Sequence, residues 1–472
     1  MIHSYKLCGY NIVLDVASGS IHTVDDFAYD VIRAYELILD GKDKDVLLAR
    51  ISANHPDKTD DEILEVVTDI EGLRKRGKLF SPDVYAGVAG VGAGCSAPLS
   101  ALCLNVSHEC NMSCKYCFVG CGDVGGVDVG GGESGGESGG GLMSLETGKR
   151  AVDFLVEQSG ERKNLDIDFF GGEPLLNWQV VKDIVAYARE IERKGSKKFR
   201  FTLTTNGLLI DYDVINFTNN QMHNVVLSLD GRPDVHDAMR KLPNENGSFS
   251  AVAENIKKLV EARRGKGYYI RGTFTRNNMD FVNDILFIAG LGYKELSMEP
   301  VIAKPGDSFG FRAGDLPDLS AQYETLAVEM LRLERLGMGF NFYHYNLDLL
   351  DGPCVHKRVA GCGVGTEYMA VTPTGELFPC HQFVGDAKFL LGDVWRGITN
   401  QTLRNQFAGC SIYSRPQCRD CWARFYCSGG CAANAYYASG SINGIYELGC
   451  EMFKKRIECA IMMKVASEPV AF

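Results

Sequence analysis

The strongest chemical signal in this chain is the stretch Cys110-Asn111-Met112-Ser113-Cys114-Lys115-Tyr116-Cys117. Its three cysteines, spaced C-x3-C-x2-C, follow the apolar run Leu102 to Val106, so a strand delivers three thiolates to one loop. Soft, anionic sulfur in that arrangement suits three irons of a [4Fe–4S] cube. With no fourth protein ligand nearby, one iron is left to take a small molecule. The competing reading is a structural zinc knuckle, in which Cys121 reaches back from a glycine-rich tail as the fourth ligand that zinc wants. A second block is also regularly spaced: Cys354-x7-Cys362-x17-Cys380, then Cys418-x2-Cys421-x5-Cys427-x3-Cys431, with Cys450 eighteen residues on. Eight cysteines suffice for two four-thiolate sites, and a pair of structural zincs is the alternative. Cys8, Cys410 and Cys459 fall outside these patterns and read as packed thiols; Cys95 and Cys103 read as structural.

Elements must hold these sulfurs. From Leu102 to about Gly337 the chain alternates strand-like runs (102–107, 165–170, 200–205, 224–229, 268–275, 294–301) with amphipathic helical runs (144–158, 178–193, 211–219, 248–263, 279–290, 319–336). Six such units predict an α/β fold with a parallel sheet and helices outside it. They fall short of the eight of a closed barrel. In parallel sheets, sites gather at the carboxyl ends of the strands, and the cysteine loop lies at such an end. Residues 118–142 are a glycine-rich, low-complexity loop beside it.

The cysteine loop resembles that of radical S-adenosylmethionine (SAM) enzymes, whose open iron chelates the amino and carboxylate groups of SAM. Asp168-Phe169-Phe170-Gly171-Gly172-Glu173-Pro174, Thr204-Thr205-Asn206-Gly207 and Ser228-Leu229-Asp230-Gly231 resemble the strand-end motifs of the same family. The resemblance implies a partial (β/α)6 barrel over residues 99–345. It also implies that Glu173, with the Gly171-Gly172 backbone, binds the methionyl amino group. Asn206 and Ser228 would take the ribose and carboxylate, Arg240 would meet the carboxylate, and Tyr116 would pack its ring on adenine. Asp230 reads equally as a turn former. Cys362, Gly375, Cys380 and the four-cysteine run resemble a SPASM domain, placed at 346–472. That implies one auxiliary cluster on Cys362, Cys380 and Cys431, with Cys354 as an open question for the fourth position, and another on Cys418, Cys421, Cys427 and Cys450. SAM and three [4Fe–4S] clusters are the cofactors so implied. No general base is singled out by spacing.

Residues 1–80 predict three short strands, then helices from Phe27 to Leu39, near Lys44 to Ile51, and from a capping box at Thr59-Asp60-Asp61-Glu62 to Arg76. This resembles the winged-helix RiPP recognition element, which captures a leader peptide by strand addition; a generic packing cap is the plain alternative. Residues 81–98 read as a linker. Across its whole length the chain resembles maturases of six-cysteine (SCIFF) peptides. That implies thioether formation between a cysteine sulfur and a carbon of a cysteine-rich precursor peptide, with a flavodoxin or ferredoxin as electron donor. Formylglycine formation, epimerisation, C–C crosslinking and a non-catalytic zinc-stabilised scaffold are the rivals.

The composition sets outer bounds. A chain of 472 residues that is 45% hydrophobic has material for two or three packed domains. A net charge of −11 argues against a sequence-independent nucleic-acid surface. No run approaches the ~20 apolar residues of a membrane span, and no signal-peptide pattern opens the chain, which predicts a cytoplasmic protein. Four of the seventeen cysteines lie in 110–121 and ten in 354–459, a distribution that points to sites rather than disulfides.

Overall fold

The computed structural model describes residues 1–39, 44–86, 98–117, 141–303, 306–347 and 355–467. Alternating apolar residues fold the N-terminus into an antiparallel sheet of β1 (Ile2–Leu7), β2 (Tyr10–Asp15) and β3 (Ile21–Val24), with β2 in the middle. Helices α1 (Asp26–Leu39), α2 (Lys44–Asn54) and α3 (Asp60–Lys75) pack on it around Val13, Val31, Tyr35, Ile63 and Val67. The capping box of α3 forms: Glu62 N donates to Thr59 Oγ1, and Glu62 in turn accepts from Thr59 N. Asp25 caps α1 through Ala28 N, whereas Asp26 is drawn off to Lys6. Cys8 is exposed rather than packed, because it occupies the β1–β2 turn at φ 50°.

The middle of the chain builds the main sheet. Its strands are β4 (Ala101–Ser107), β6 (Asn164–Gly171), β7 (Lys198–Thr205), β8 (Asn224–Ser228), β10 (Tyr268–Phe274) and β11 (Glu295–Pro300), all parallel and adjacent in chain order. Two short strands, β5 (Ser113–Cys114) and β9 (Arg240–Lys241), pair with each other outside it. Helices α4 (Leu145–Gln158), α5 (Trp178–Lys194), α6 (Tyr212–Gln221), α7 (Pro233–Met239), α8 (Phe249–Arg263), α9 (Phe281–Gly290) and α10 (Leu316–Arg335) intervene. Period two sorts the strand side chains by face. Leu102, Leu104, Ile167, Phe169, Phe201, Leu203, Val225, Leu227, Ile270 and Leu296 are buried with the helices' apolar faces, each worth about 1.5–3 kcal/mol. Register puts Asp168, Thr202 and Asn224 in one row of the opposite face, and Ser228, Arg271 and Ser297 in another.

After β12 (Asn341–Phe342), which joins β11, come α11 (Val355–Ala360) and a strand that returns to the far side of the sheet. This is β13 (Tyr368–Val371), parallel to β4 in the register Ala370↔Cys103, and it carries β14 (Glu376–Phe378), β15 (Gly392–Asp393) and β16 (Gly397–Ile398) antiparallel beyond it. Among the described residues the result is one sheet of eleven strands that ends on β12 and β16 and does not close into a barrel. Short helices α12 (Gln401–Ala408), α13 (Pro416–Arg419), α14 (Arg424–Cys427) and α15 (Ala432–Ser439) lead to α16 (Glu447–Ser467), which packs along α10.

The N-terminal sheet rests on this last region. His3 stacks on Trp422 at 3.7 Å and bonds Glu458 at 2.9 Å, while Tyr5 donates to Glu458 O. The first residues of the expected linker are pinned rather than free. Asp83 accepts from Tyr413 and from Arg424, and Tyr85 packs edge-on to Phe425. The glycine-rich stretch 118–140, Cys95, Cys121 and Cys354 lie outside the described residues.

Candidate cluster and cofactor site

Cys110, Cys114 and Cys117 sit just beyond the carboxyl end of β4, and their loop is held on two sides. On one side Cys114 pairs with Arg240 across β5 and β9, and Lys115 N donates to Met239 O. On the other, the Asn206 amide donates to Asn111 Oδ1 at 2.7 Å and lies 3.8 Å from the Cys110 sulfur. Burial pushes the Cys114 thiol up to about 11; Arg240 opposes this, and Cys117, Asp230 and Cys110 add to it. Cys110 and Cys117 thus both lie near Cys114.

Asp230 is the fixed point of this loop. Its fully buried carboxylate accepts from Arg240 Nε at 3.0 Å and Thr273 N at 3.0 Å, and from the Tyr116 hydroxyl. Arg240 also lies over the Tyr116 ring, 5.5 Å from its centroid. Burial works against the Arg240 charge, yet Asp230 and Tyr116 hold its proton above the usual range. Burial, with Asp230 beside it, lifts the Tyr116 phenol well above 10. Tyr116 and Arg240, each expected to touch a bound cofactor, are thus engaged with Asp230. The sequence reading missed this grouping because its members come from three separate loops.

Behind the anion stands His236. Asp230 N points at its Nδ1 at 3.4 Å, and its Nε2 is 3.0 Å from Ser248 Oγ, which spends its own proton on Arg240 O. Nε2 must therefore donate, and the ring is neutral with Nδ1 accepting. Burial lowers its pKa to about 4; Arg240 assists and Asp230 and Asp237 oppose.

The Gly171-Gly172-Glu173 turn closes against the same loop from β6. Gly172 N donates to Ser107 O and Glu173 N to Glu109 O. A Cβ at either glycine would run into these backbone oxygens, and Gly171 also has φ +129°, so only bare backbone fits. Glu173 is fully buried and accepts from Thr205 Oγ1 (2.7 Å), Asn206 N (2.8 Å) and Leu175 N (3.1 Å). Burial raises its pKa to about 7 against those three hydrogen bonds. It braces the ends of β6 and β7 beside the cysteines. Ser228 is half-buried on the helix-free face.

Two further groups of thiols form in the C-terminal region. Cys380 is pushed up to about 12 by burial and by Cys431 and Cys362, and Cys431 is raised by burial and by Cys362. Cys427 is pushed up to about 12 by burial and by Cys450, Cys418 and Cys421. The two sets interleave in sequence. Among the described residues, no three Cys, His, Asp or Glu side chains converge as a single-ion site. All-thiol sets of three, three and four fit soft multi-iron groups.

Comparison with known proteins agrees with this geometry. Residues 104–288 match the model of the radical SAM superfamily. A cysteine-type anaerobic sulfatase-maturating enzyme of Clostridium novyi is 24% identical over 76% of this chain and 94% of its own length. The antilisterial bacteriocin subtilosin biosynthesis protein AlbA of Bacillus subtilis is 26% identical over 63% of this chain and 58% of its own. The structure of anSMEcpe with bound AdoMet and Cp18Cys peptide shares the fold at a TM-score of 0.62 and 21% identity, covering 78% of this chain and 98% of that one. The chain is thus similar to the radical SAM superfamily over residues 104–288, and over much of its length to an anaerobic sulfatase-maturating enzyme and a bacteriocin biosynthesis protein.

Proposed function

We propose that this protein is a radical SAM peptide maturase that joins a cysteine sulfur to a carbon of a ribosomally made, cysteine-rich precursor peptide. The carrying observation is the trio Cys110, Cys114 and Cys117 on one loop at the strand ends, held by the pairing of Cys114 with Arg240 and by the Asp230–Arg240 ion pair. The thiols suit a [4Fe–4S] cluster with one open iron. When bound, that cluster supplies the electron that cleaves SAM to methionine and a hydrogen-abstracting 5′-deoxyadenosyl radical. The chain's own residues position and shield. Glu173, Asn206 and Ser228 would hold SAM, and the strand face that carries Ser228, Arg271 and Ser297 would receive the peptide. Cys362, Cys380 and Cys431 would hold one auxiliary cluster, and Cys418, Cys421, Cys427 and Cys450 another, giving three in all. The homology to peptide- and protein-maturating enzymes and the peptide bound in the anSMEcpe structure support a peptide substrate. The 1–80 module would hold the leader along the edge of β3, whose one partner among the described strands is β2, and a flavodoxin or ferredoxin would feed electrons.

Anaerobically reconstituted protein, given dithionite, SAM and a leader-bearing cysteine-rich peptide, should release 5′-deoxyadenosine. The peptide should lose two hydrogens per crosslink and one alkylatable thiol. A carbonyl in place of a thiol would instead mark formylglycine formation, and an unchanged mass would end the thioether reading.

A further inference from the structure

A second polar cluster lies at the end of β11, on the strand face that carries Ser228 and Ser297 and beside α16. Glu299, near the end of β11, has its side chain 35% exposed, and two nearly buried groups stand behind it. Arg456 of α16 donates to Glu299 Oε2 at 3.3 Å, and the His344 ring lies 3.6 Å from Oε1 with its other nitrogen 3.1 Å from Ser297 Oγ. Burial opposes the Glu299 charge, but His344, Arg456 and Arg271 together hold its pKa below the usual carboxylate range. Arg271, on neighbouring β10, is exposed, and among the described residues no hydrogen bond or ion pair engages its side chain. Register sets Arg271 opposite Ser297 and Thr273 opposite Glu299, so Arg271 and Glu299 are diagonal neighbours on one face. On the same face His381 packs against Phe170 of β6.

Arg456 already balances the Glu299 carboxylate from behind and leaves it acceptor capacity, while the Arg271 guanidinium in front has donors to give; the two form an acceptor–donor pair. A single charged side chain on a ligand would satisfy one member and oppose the other. A peptide group offers a donor and an acceptor together. We infer that Glu299 and Arg271 hold a main-chain amide of the peptide substrate, Glu299 accepting from its N–H and Arg271 donating to a carbonyl oxygen. This inference rests on the peptide-maturase reading and adds to it a binding subsite on the last two strands. His344 and Arg456 are positioning residues that fix the carboxylate.

The test uses the anaerobically reconstituted full chain and fluorescence anisotropy. The probe is a fluorescein-labelled synthetic peptide of cysteine, threonine, glycine and alanine, compared with versions N-methylated at each amide in turn. Glu299→Gln and Arg271→Gln should each weaken binding about tenfold, the scale of one hydrogen bond to a charged group, while Arg332→Gln on the outer helix α10 should not. One N-methyl position should cost the wild type about tenfold and cost Glu299→Gln nothing more, because the bond is already gone. Should Glu299→Gln fold poorly with Arg456 uncompensated, the double variant E299Q/R456M and the exposed Arg271→Gln carry the same comparison. Equal N-methyl penalties in wild type and variants would overturn the subsite, as would a loss confined to SAM affinity or the absence of saturable binding by the wild type. A wild type that shows the N-methyl coupling yet leaves peptide mass unchanged would remove the thioether chemistry and keep the subsite.

Discussion

Cys114 and Asp230 make opposite demands at the same loop. Replacing Cys114 by alanine removes a sulfur without disturbing the other two thiol groups. Iron should fall from about twelve to about eight per chain if each site holds a four-iron cube, and 5′-deoxyadenosine should vanish; iron assay and chromatography read both. Asp230→Asn leaves the guanidinium of Arg240 buried with no anion beside it and takes an acceptor from Tyr116. Breaking such a pair costs about 3–5 kcal/mol, so urea unfolding should show a loss of that order. Gly172→Ala should weaken the fold and SAM binding together, since its Cβ would displace Glu109 O from the loop that carries Cys110. His236 sets a pH limit. An unfolded histidine takes up its proton near 6.5 and this one only near 4, so its contribution is complete above about pH 6.5 and drains away as pH falls toward 4. The loss is about 1.4 kcal/mol per pH unit for this one group, and His236→Gln should flatten the stability–pH curve by that slope.

At the scale of elements, the six strands and six principal helices of the middle region fall within about three residues of their sequence-read bounds, because alternation and helical period were both strong there. The added sheet partner β13 was not legible. It is four residues, Tyr-Met-Ala-Val, inside a cysteine-rich block, and only tertiary contact tells a strand of that length from a loop. The β5–β9 pair was missed for the same reason, being two residues on each side. In the site, spacing exposed the cysteines, whereas Asp230 read as a turn residue because its partners Tyr116, Arg240 and Thr273 are far away in sequence. Glu299 left one trace: with Ser297 it puts polar residues on alternate positions of β11, which two-sided burial would exclude.

Over the whole molecule, the N-terminal sheet is joined to the C-terminal helix by the His3–Glu458 pair and Tyr5, and to the segment before α14 by the His3–Trp422 stack. Deleting residues 1–80 should speed amide exchange in α16 at least about tenfold, equivalent to about 1.4 kcal/mol of lost local stability, as hydrogen-exchange mass spectrometry would read. A different consequence follows from β13 lying beside β4. During synthesis, the strand that feeds the cysteine loop has a bare outer flank until residue 371 has emerged from the ribosome, some 270 residues after it was made. Any product stopped short of that point carries an unpaired hydrogen-bonding edge able to seize a neighbouring nascent chain. Expression of fragments ending before β13 should therefore yield aggregates, and shortening the C-terminus is a poor route to an isolated catalytic core.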